Sequence, residues 1–184
     1  NIHFAAFTPL QADLLIETQF EKFNHIGTVI LGGGVISTSL FNKLKKCRNR
    51  IFATYGMTET ASQITTTEKL TACPSRIHAG KPLPGRELRI SPSGEVQVRG
   101  GILATGVLTS SGQLESITDA EGWASTRDVG TLNKNNELIL LGRRDRMIIS
   151  GGENIHPERI EAILSEVPGV VRVAVVGRPS QTAE

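Results

Sequence analysis

Two short runs of β-branched and aromatic residues, each stopped by glycine and separated by one amphipathic stretch, constrain this chain more than any other feature. Thr28-Val29-Ile30-Leu31 runs into Gly32-Gly33-Gly34, and Ile51-Phe52-Ala53-Thr54-Tyr55 runs into Gly56. Between them Ser37 is placed to cap a helix on which Leu40, Phe41 and Leu44 share one face above Lys43, Lys45 and Lys46. Strand, helix and strand within about 30 residues is the grammar of a parallel sheet, whose neighbouring strands need a crossover. Ligands of such sheets gather at the carboxyl ends of the strands. Both glycine stops fall there, where the backbone must bend or approach a ligand. Upstream, Pro9 to Phe23 carries Leu10, Leu14, Leu15 and Ile16 among polar residues, a helical pattern.

From about Pro74 the texture changes. Leu88 and Ile90 alternate with Arg89, Ser91-Pro92-Ser93-Gly94 turns the chain, and Val96 and Val98 alternate with Gln97, which predicts a β-hairpin. A second hairpin is predicted from Val129-Gly130-Thr131-Leu132, the turn Asn133-Lys134-Asn135-Asn136, and Leu138-Ile139-Leu140-Leu141. Lys81-Pro82-Leu83-Pro84-Gly85 reads as a turn, and residues 74–142 as an antiparallel, barrel-like unit. A third change comes at the charge knot Arg143-Arg144-Asp145-Arg146, after which Met147-Ile148-Ile149 runs into Ser150-Gly151-Gly152. Pro157 opens a helix, with Glu158 near the positive end of its dipole and Ile160, Ile163, Leu164 and Val167 at helical spacing. Pro168-Gly169 stops it, and Val170 to Val176 reads as a strand interrupted by Arg172. Residues 1–73, 74–144 and 145–184 are thus expected to be a sheet portion, a barrel-like portion and the start of an α+β unit. The chain begins at Asn1 inside a patterned segment and stops at Glu184 after a polar turn, as expected of an internal portion of a longer protein.

Composition removes several classes of function. A formal net charge of +2, with no Lys/Arg run interleaved with aromatic residues, argues against nucleic acid as a partner. Cys47 and Cys73 have no second cysteine or histidine at metal-ligand spacing, which disfavours a zinc site or disulfide framework and suits a reducing cytoplasm. No apolar stretch approaches the roughly 20 residues of a membrane helix, and no basic-apolar leader opens the chain. Oligomeric state is left open, with a homo-oligomer among the options. Aromatic residues make up 4%, so the core must rest on Ile, Leu and Val.

Three segments carry chemistry: Thr54-Tyr55-Gly56-Met57-Thr58-Glu59-Thr60; Gly122-Trp123-Ala124-Ser125-Thr126-Arg127-Asp128-Val129-Gly130; and Leu141-Gly142-Arg143-Arg144-Asp145-Arg146 continuing to Ser150-Gly151-Gly152-Glu153-Asn154-Ile155. Each alone has a structural alternative. Thr58 and Glu59 suit a polar helix cap, Asp128 a turn aspartate paired with Arg127, and the charge knot a solvated hairpin edge. Together, in this order and spacing, they resemble the signatures of the adenylate-forming superfamily of acyl-CoA synthetases, adenylation domains and luciferases. The resemblance covers about Val29 to Val176.

That resemblance implies an α/β fold: the end of a large N-terminal domain with a β-barrel-like subdomain, then the start of a small α+β C-terminal domain. It implies ATP, Mg²⁺ and coenzyme A. Thr54, Tyr55, Gly56, Met57 and Thr58, with Gly33 and Gly34, would surround the nucleotide, Tyr55 offering a face to adenine and Thr58 a hydroxyl to phosphate. Glu59 would supply a hard oxygen ligand to Mg²⁺. Asp128 would accept both ribose hydroxyls, although the family often has glycine where this chain has Arg127. Arg143 would touch ribose or phosphate, Asp145 would be the hinge of the small domain, and Gly151 and Gly152 would line the pantetheine tunnel. Gly32 would face the acyl pocket, and Ser62 reads either as a further pocket residue or as an exposed helix serine. His156 reads as a residue at a helix start rather than a base.

Finer resemblance, at Pro82-Leu83-Pro84-Gly85-Arg86-Glu87, Ser111-Gly112-Gln113-Leu114 and Glu153-Asn154-Ile155-His156-Pro157, is to the ligases that join o-succinylbenzoate to coenzyme A in menaquinone synthesis. The alternatives are another acyl- or aryl-CoA ligase, a peptide-synthetase adenylation domain, or, in a different class, a non-catalytic nucleotide-binding module. The family's lysine-ended phosphate loop and distal catalytic lysine are not among these 184 residues, so this stretch alone is expected to release no pyrophosphate.

Overall fold

The computed structural model describes residues 2–71, 77–167, 169–170 and 172–178. Cys73, Pro74, Pro168 and Val171, which figure in the expectations above, lie outside the described residues. The chain opens with β1 (Phe4–Phe7), α1 (Pro9–Asn24), β2 (Thr28–Leu31), α2 (Thr38–Leu44) and β3 (Arg50–Gly56). β1, β2 and β3 are parallel neighbours, which confirms the βαβ reading and adds a strand at its edge that the sequence pattern did not reveal. α1 starts at a capping box: the Thr8 hydroxyl accepts from the Gln11 N–H at 3.2 Å, and the Gln11 side chain accepts from the Thr8 N–H at 2.9 Å. Its core-facing residues are Ala12, Ile16 and Phe23, whereas Leu10 and Leu14 stay exposed. Ser37 caps α2 as expected, accepting from the Leu40 N–H at 3.1 Å. Leu40, Phe41 and Leu44 are buried, and Lys43 on the far side meets Asp13 and Glu17 of α1 at 2.7 and 2.6 Å.

After a 3₁₀ turn at Thr58–Thr60 the sheet continues with β4 (Gln63–Thr66), β5 (Ile77–Pro82), β6 (Arg86–Ile90) and β7 (Glu95–Gly100), a small separate hairpin of β8 (Val107–Leu108) and β9 (Leu114–Glu115), then β10 (Ala124–Leu132) and β11 (Leu138–Arg143). Among the described residues nine strands run in the order β1-β2-β3-β4-β5-β11-β10-β7-β6, antiparallel from β3 onward. Both predicted hairpins are present. Lys81 and Pro82 end β5, so the turn expected there is confined to the residues after them, closed by the Arg86 N–H donating to the Leu83 carbonyl at 3.1 Å. One core holds Ala12, Phe23, Leu31, Phe41 and Ala53; the second holds Tyr55, Ile64, Val96, Val98 and Leu138. Ala53 and Tyr55 are two residues apart on β3, so that strand is where the cores adjoin.

Beyond β11, a second 3₁₀ turn (Arg144–Arg146) leads to β12 (Ile148–Ser150), β13 (Glu153–Ile155) and α3 (Pro157–Leu164). Gly151 and Gly152 are the two central residues of the β12–β13 hairpin, with φ of +56° and +80°, the backbone that a tight two-residue hairpin turn demands. Pro157 and Glu158 open α3 as expected. The predicted strand at 170–176 is not formed over its described residues, and 172–178 carry no regular structure. A strand needs a neighbour to complete its ladder; here the Val175 N–H donates instead to the Glu161 carboxylate at 2.9 Å.

Candidate functional site

Tyr55 and Asp128 lie on strands separated in the sheet by β4, β5 and β11. In a flat sheet four such steps would place them about 19 Å apart. The Tyr55 hydroxyl nevertheless donates to Asp128 Oδ2 at 2.6 Å. The sheet therefore curls on itself, and the apolar side chains of the second core fill the curl. Asp128 and Arg143 are direct register partners on β10 and β11, with Arg143 Nη1 3.5 Å from Asp128 Oδ1. The same guanidinium donates to both oxygens of Asp145, at 3.2 and 2.9 Å. Three of the residues singled out in the sequence, two from the arms of one hairpin and the third 73 positions away, thus form one polar chain that ends on a fourth.

Burial raises the Asp128 carboxyl above the ordinary carboxylate range, against the Tyr55 hydroxyl and the Arg143 charge, which favour its anion. Tyr55, 9% exposed, is pushed upward by burial and then by the neighbouring Asp128 charge. Asp145 is exposed, and its hydrogen bonds from Arg143 hold it below the ordinary range. Asp128 does not act as a turn aspartate paired with Arg127: its oxygens go to Tyr55 and Arg143. Arg127 instead occupies a bulge of β10 with φ of +61°, flanked by register shifts on both sides of the strand.

The segment after Tyr55 leaves the sheet sharply. A Cβ on Gly56 would stand 2.0 Å from the Ser62 carbonyl oxygen, so only glycine allows the chain to cross back beneath itself here. Thr58 is exposed and Glu59 half-buried, both on the 3₁₀ turn at the carboxyl end of β3. Neither side chain caps that turn. Thr60 does so, its hydroxyl accepting from the Met57 N–H at 3.2 Å and donating to the Met57 carbonyl at 2.9 Å. Met57 packs against the second core, and the Glu59 carbonyl anchors the loop after β7 through the Ala104 N–H at 2.7 Å. Ser62 is exposed but sits in a bend after Ala61 (φ +56°), so the helix serine of the sequence reading is not one.

Ser62, Gly32 and Thr54 line one cleft of about 430 Å³ with Phe4, Ala6 and Ile30. The two residues assigned to the acyl end therefore share a wall with Thr54 from the nucleotide segment. Gly33 and Gly34 follow in the exposed loop after β2. A wider, open hollow of about 620 Å³ along residues 17–22 lies at the kink of α1 and contains none of the candidate residues. Gly151 and Gly152 are exposed on their hairpin, apart from the Tyr55–Asp128 chain in the bonded network. His156 is buried at the start of α3 beside the Glu158 carboxylate, and both face Gly142: a Cβ there would lie 3.1 Å from His156 Nδ1 and 2.4 Å from Glu158 Oε2.

Sequence reasoning passed over Glu95 and Arg144 as site residues. Alternation places Glu95 on the same face of β7 as Gln97 and Arg99, opposite Val96 and Val98, which reads as solvent-facing. It is 7% exposed because the β10 bulge and Arg144 cover it.

A family model described as AMP-binding enzyme matches residues 1–114. The 2-succinylbenzoate–CoA ligase of Listeria monocytogenes is 39% identical over 155 residues, covering 84% of this chain and 33% of the relative. The ligase of the same name from Bacillus subtilis is 37% identical over 184 residues, covering 94% and 37%. The solved structure of o-succinylbenzoate coenzyme A synthetase from Bacillus subtilis in complex with AMP superposes with a TM-score of 0.84 at 29% identity, covering 98% of this chain and 39% of that one. This chain spans about a third of the length of the curated relatives it matches.

Proposed function

The chain belongs to the AMP-binding enzyme family, and from that premise we propose that it is the nucleotide-facing portion of an AMP-forming ligase that joins o-succinylbenzoate to coenzyme A. The observation that carries the reading is the Tyr55–Asp128–Arg143 chain, in which Tyr55 meets a hairpin pair from 73 positions away at one seam of the curled sheet. The named relatives supply the choice of acid. Asp128 receives the two ribose hydroxyls of ATP on its carboxylate oxygens, Arg143 faces ribose or phosphate, and the exposed Thr58 hydroxyl bonds a phosphate oxygen. The adenine lies along the margin of Tyr55 that remains open, over Gly33 and Gly34. Gly32 and Ser62 bound the space for the acid.

Glu59 is a single half-buried carboxylate, and among the described residues no three metal-ligating side chains cluster. Such a donor set fits Mg²⁺, which keeps most of its water and takes further ligands from phosphate oxygens. When bound by Glu59, the ion would supply neutralisation of phosphate charge. The acid carboxylate attacks the α-phosphorus of ATP, forming an acyl-adenylate and releasing pyrophosphate. The thiol of coenzyme A then attacks the acyl carbon, and AMP departs. The role of this chain's residues is positioning and electrostatic stabilisation. Between the steps the unit that follows Asp145 turns about that residue and brings Gly151 and Gly152 to the pantetheine arm. The portions expected are the sheet part at 1–73, the barrel-like part at 74–144 and the turning unit at 145–184.

The full-length protein, given ATP, Mg²⁺, coenzyme A and a panel of aryl and alkyl acids, is expected to form AMP and a thioester fastest with o-succinylbenzoate. Preference for another acid would move it to a different ligase of the family. Absence of acid-dependent pyrophosphate release would defeat the proposal.

A further inference from the structure

Glu95 sits at the start of β7 with its side chain almost wholly buried, and its two oxygens are divided between two jobs. Oε1 accepts from the Ser125 hydroxyl and, at 2.9 Å, from the backbone N–H of Arg127. Oε2 accepts from Arg144 Nη1 at 2.8 Å. Arg127 is the residue whose left-handed backbone, unfavourable for a side chain of its size, forms the bulge of β10 just before Asp128, which meets Tyr55. Arg144 is the residue before Asp145. One carboxylate therefore fixes the bulge behind the ribose-facing aspartate and grips the neighbour of the pivot.

We propose that Glu95 is a positioning residue of the nucleotide site: it holds Asp128 in its ribose-binding pose through Arg127 and couples that pose to the Asp145 pivot through Arg144. The inference rests on the reading of Asp128 as the ribose acceptor. Burial alone would raise the Glu95 carboxyl, but the hydrogen bonds from Ser125, Arg144 and the Arg127 N–H outweigh it and hold the group below its ordinary range, as a fixed anion requires. The Thr126 hydroxyl completes the bulge, donating to the Val96 carbonyl at 2.9 Å and accepting from the Asp128 N–H at 3.1 Å.

The test uses the full-length enzyme and compares KM for ATP with KM for 2′-deoxy-ATP, a ratio that a merely structural residue would not move. Glu95→Ala is expected to raise the KM for ATP about tenfold, the scale of one charge-assisted hydrogen bond, and to erase most of the preference for the ribose form. Glu95→Gln keeps an acceptor for the Arg127 N–H and is expected to retain most of that preference. Arg127→Gly places a residue at φ +61° that needs no holding, so Glu95→Ala in that background should lose far less of the ratio; this pair decides the matter even where the single Ala variant folds poorly. If Asp128→Ala abolishes the preference and Glu95→Ala leaves it at the parent value, the positioning role is overturned and the ribose reading stands. If Asp128→Ala itself leaves the preference intact, the ribose reading falls and takes this inference with it.

Discussion

The curled sheet and the unit that follows Arg144 are held by different physics. Within the curl Ile64, Val96, Val98 and Leu138 are 0–1% exposed, and they pack around the seam that carries Tyr55 and Asp128. In α3 the buried member is Pro157, while Ile163 and Leu164, and Val167 beyond the helix end, are 71%, 39% and 47% exposed. Within that unit Arg146 pairs with Glu158 at 3.1 Å and with Glu161 at 2.7 Å, and it meets the rest of the chain through polar groups, His156 and Glu158 facing Gly142 and Glu166 accepting from the Thr38 N–H at the start of α2 at 3.2 Å. Apolar burial of this depth fixes one arrangement, because any displacement opens a cavity. The exposed bond between Thr38 and Glu166 contributes little and re-forms elsewhere at low cost. A rigid nucleotide seam joined to a second unit by exchangeable contacts is what the proposed turn about Asp145 requires.

The sharpest way to break this contrast is to remove the same side chain from both regions. Leu138→Ala, in the centre of the second core, is expected to cost about 2–5 kcal/mol in urea unfolding, as for other buried leucines. A loss below about 1 kcal/mol would mean that the curl is loosely packed, and the depth of burial would no longer distinguish the two regions.

A smaller effect separates two carboxylates inside the rigid region. The folded-state value of Asp128 is raised by burial, so its contribution to stability is present below the unfolded value and is lost as pH rises through the folded one. The lowered value of Glu95 has the opposite sign: its contribution is present above the unfolded value and is lost as pH falls through the folded one. At neutral pH, Asp128→Asn should therefore unfold at the same denaturant concentration as the parent or higher, and Glu95→Gln at a lower one, with both gaps closing as the medium is made acidic. Equal losses from the two variants at neutral pH would show that Asp128 is held as firmly in its anionic form as Glu95. A residue kept against its own stability is one retained for what it binds.

The parallel strands, both long hairpins and the three chemistry-bearing segments were legible because each is written locally, as a periodicity, a turn or a short motif. The curl was not, since Tyr55 and Asp128 meet across 73 positions of sequence. Glu95 was hidden for a related reason: strand alternation assigns it to solvent, and only the bulge at Arg127 covers it. Gly151-Gly152 was read as a ligand-lining loop, and the structure adds that it is a hairpin turn. The strand expected at 170–176 failed because β-propensity describes fit to a neighbour, and the described residues there have none.

The smallest expected effect is the counterpart of the first. Leu164 closes α3 with 39% of its surface open, so truncating it removes contacts that are already largely solvated. Leu164→Ala in this chain should cost less than about 1 kcal/mol, since transfer energy scales with the apolar area that is buried. Alanine's higher helix propensity offsets part even of that. The value of the measurement lies in its comparison with Leu138→Ala under the same conditions. If the two leucines cost the same, the apolar face of α3 is covered in solution, and the second unit is fixed by packing as the first is. A turn about Asp145 would then have to break that buried interface first.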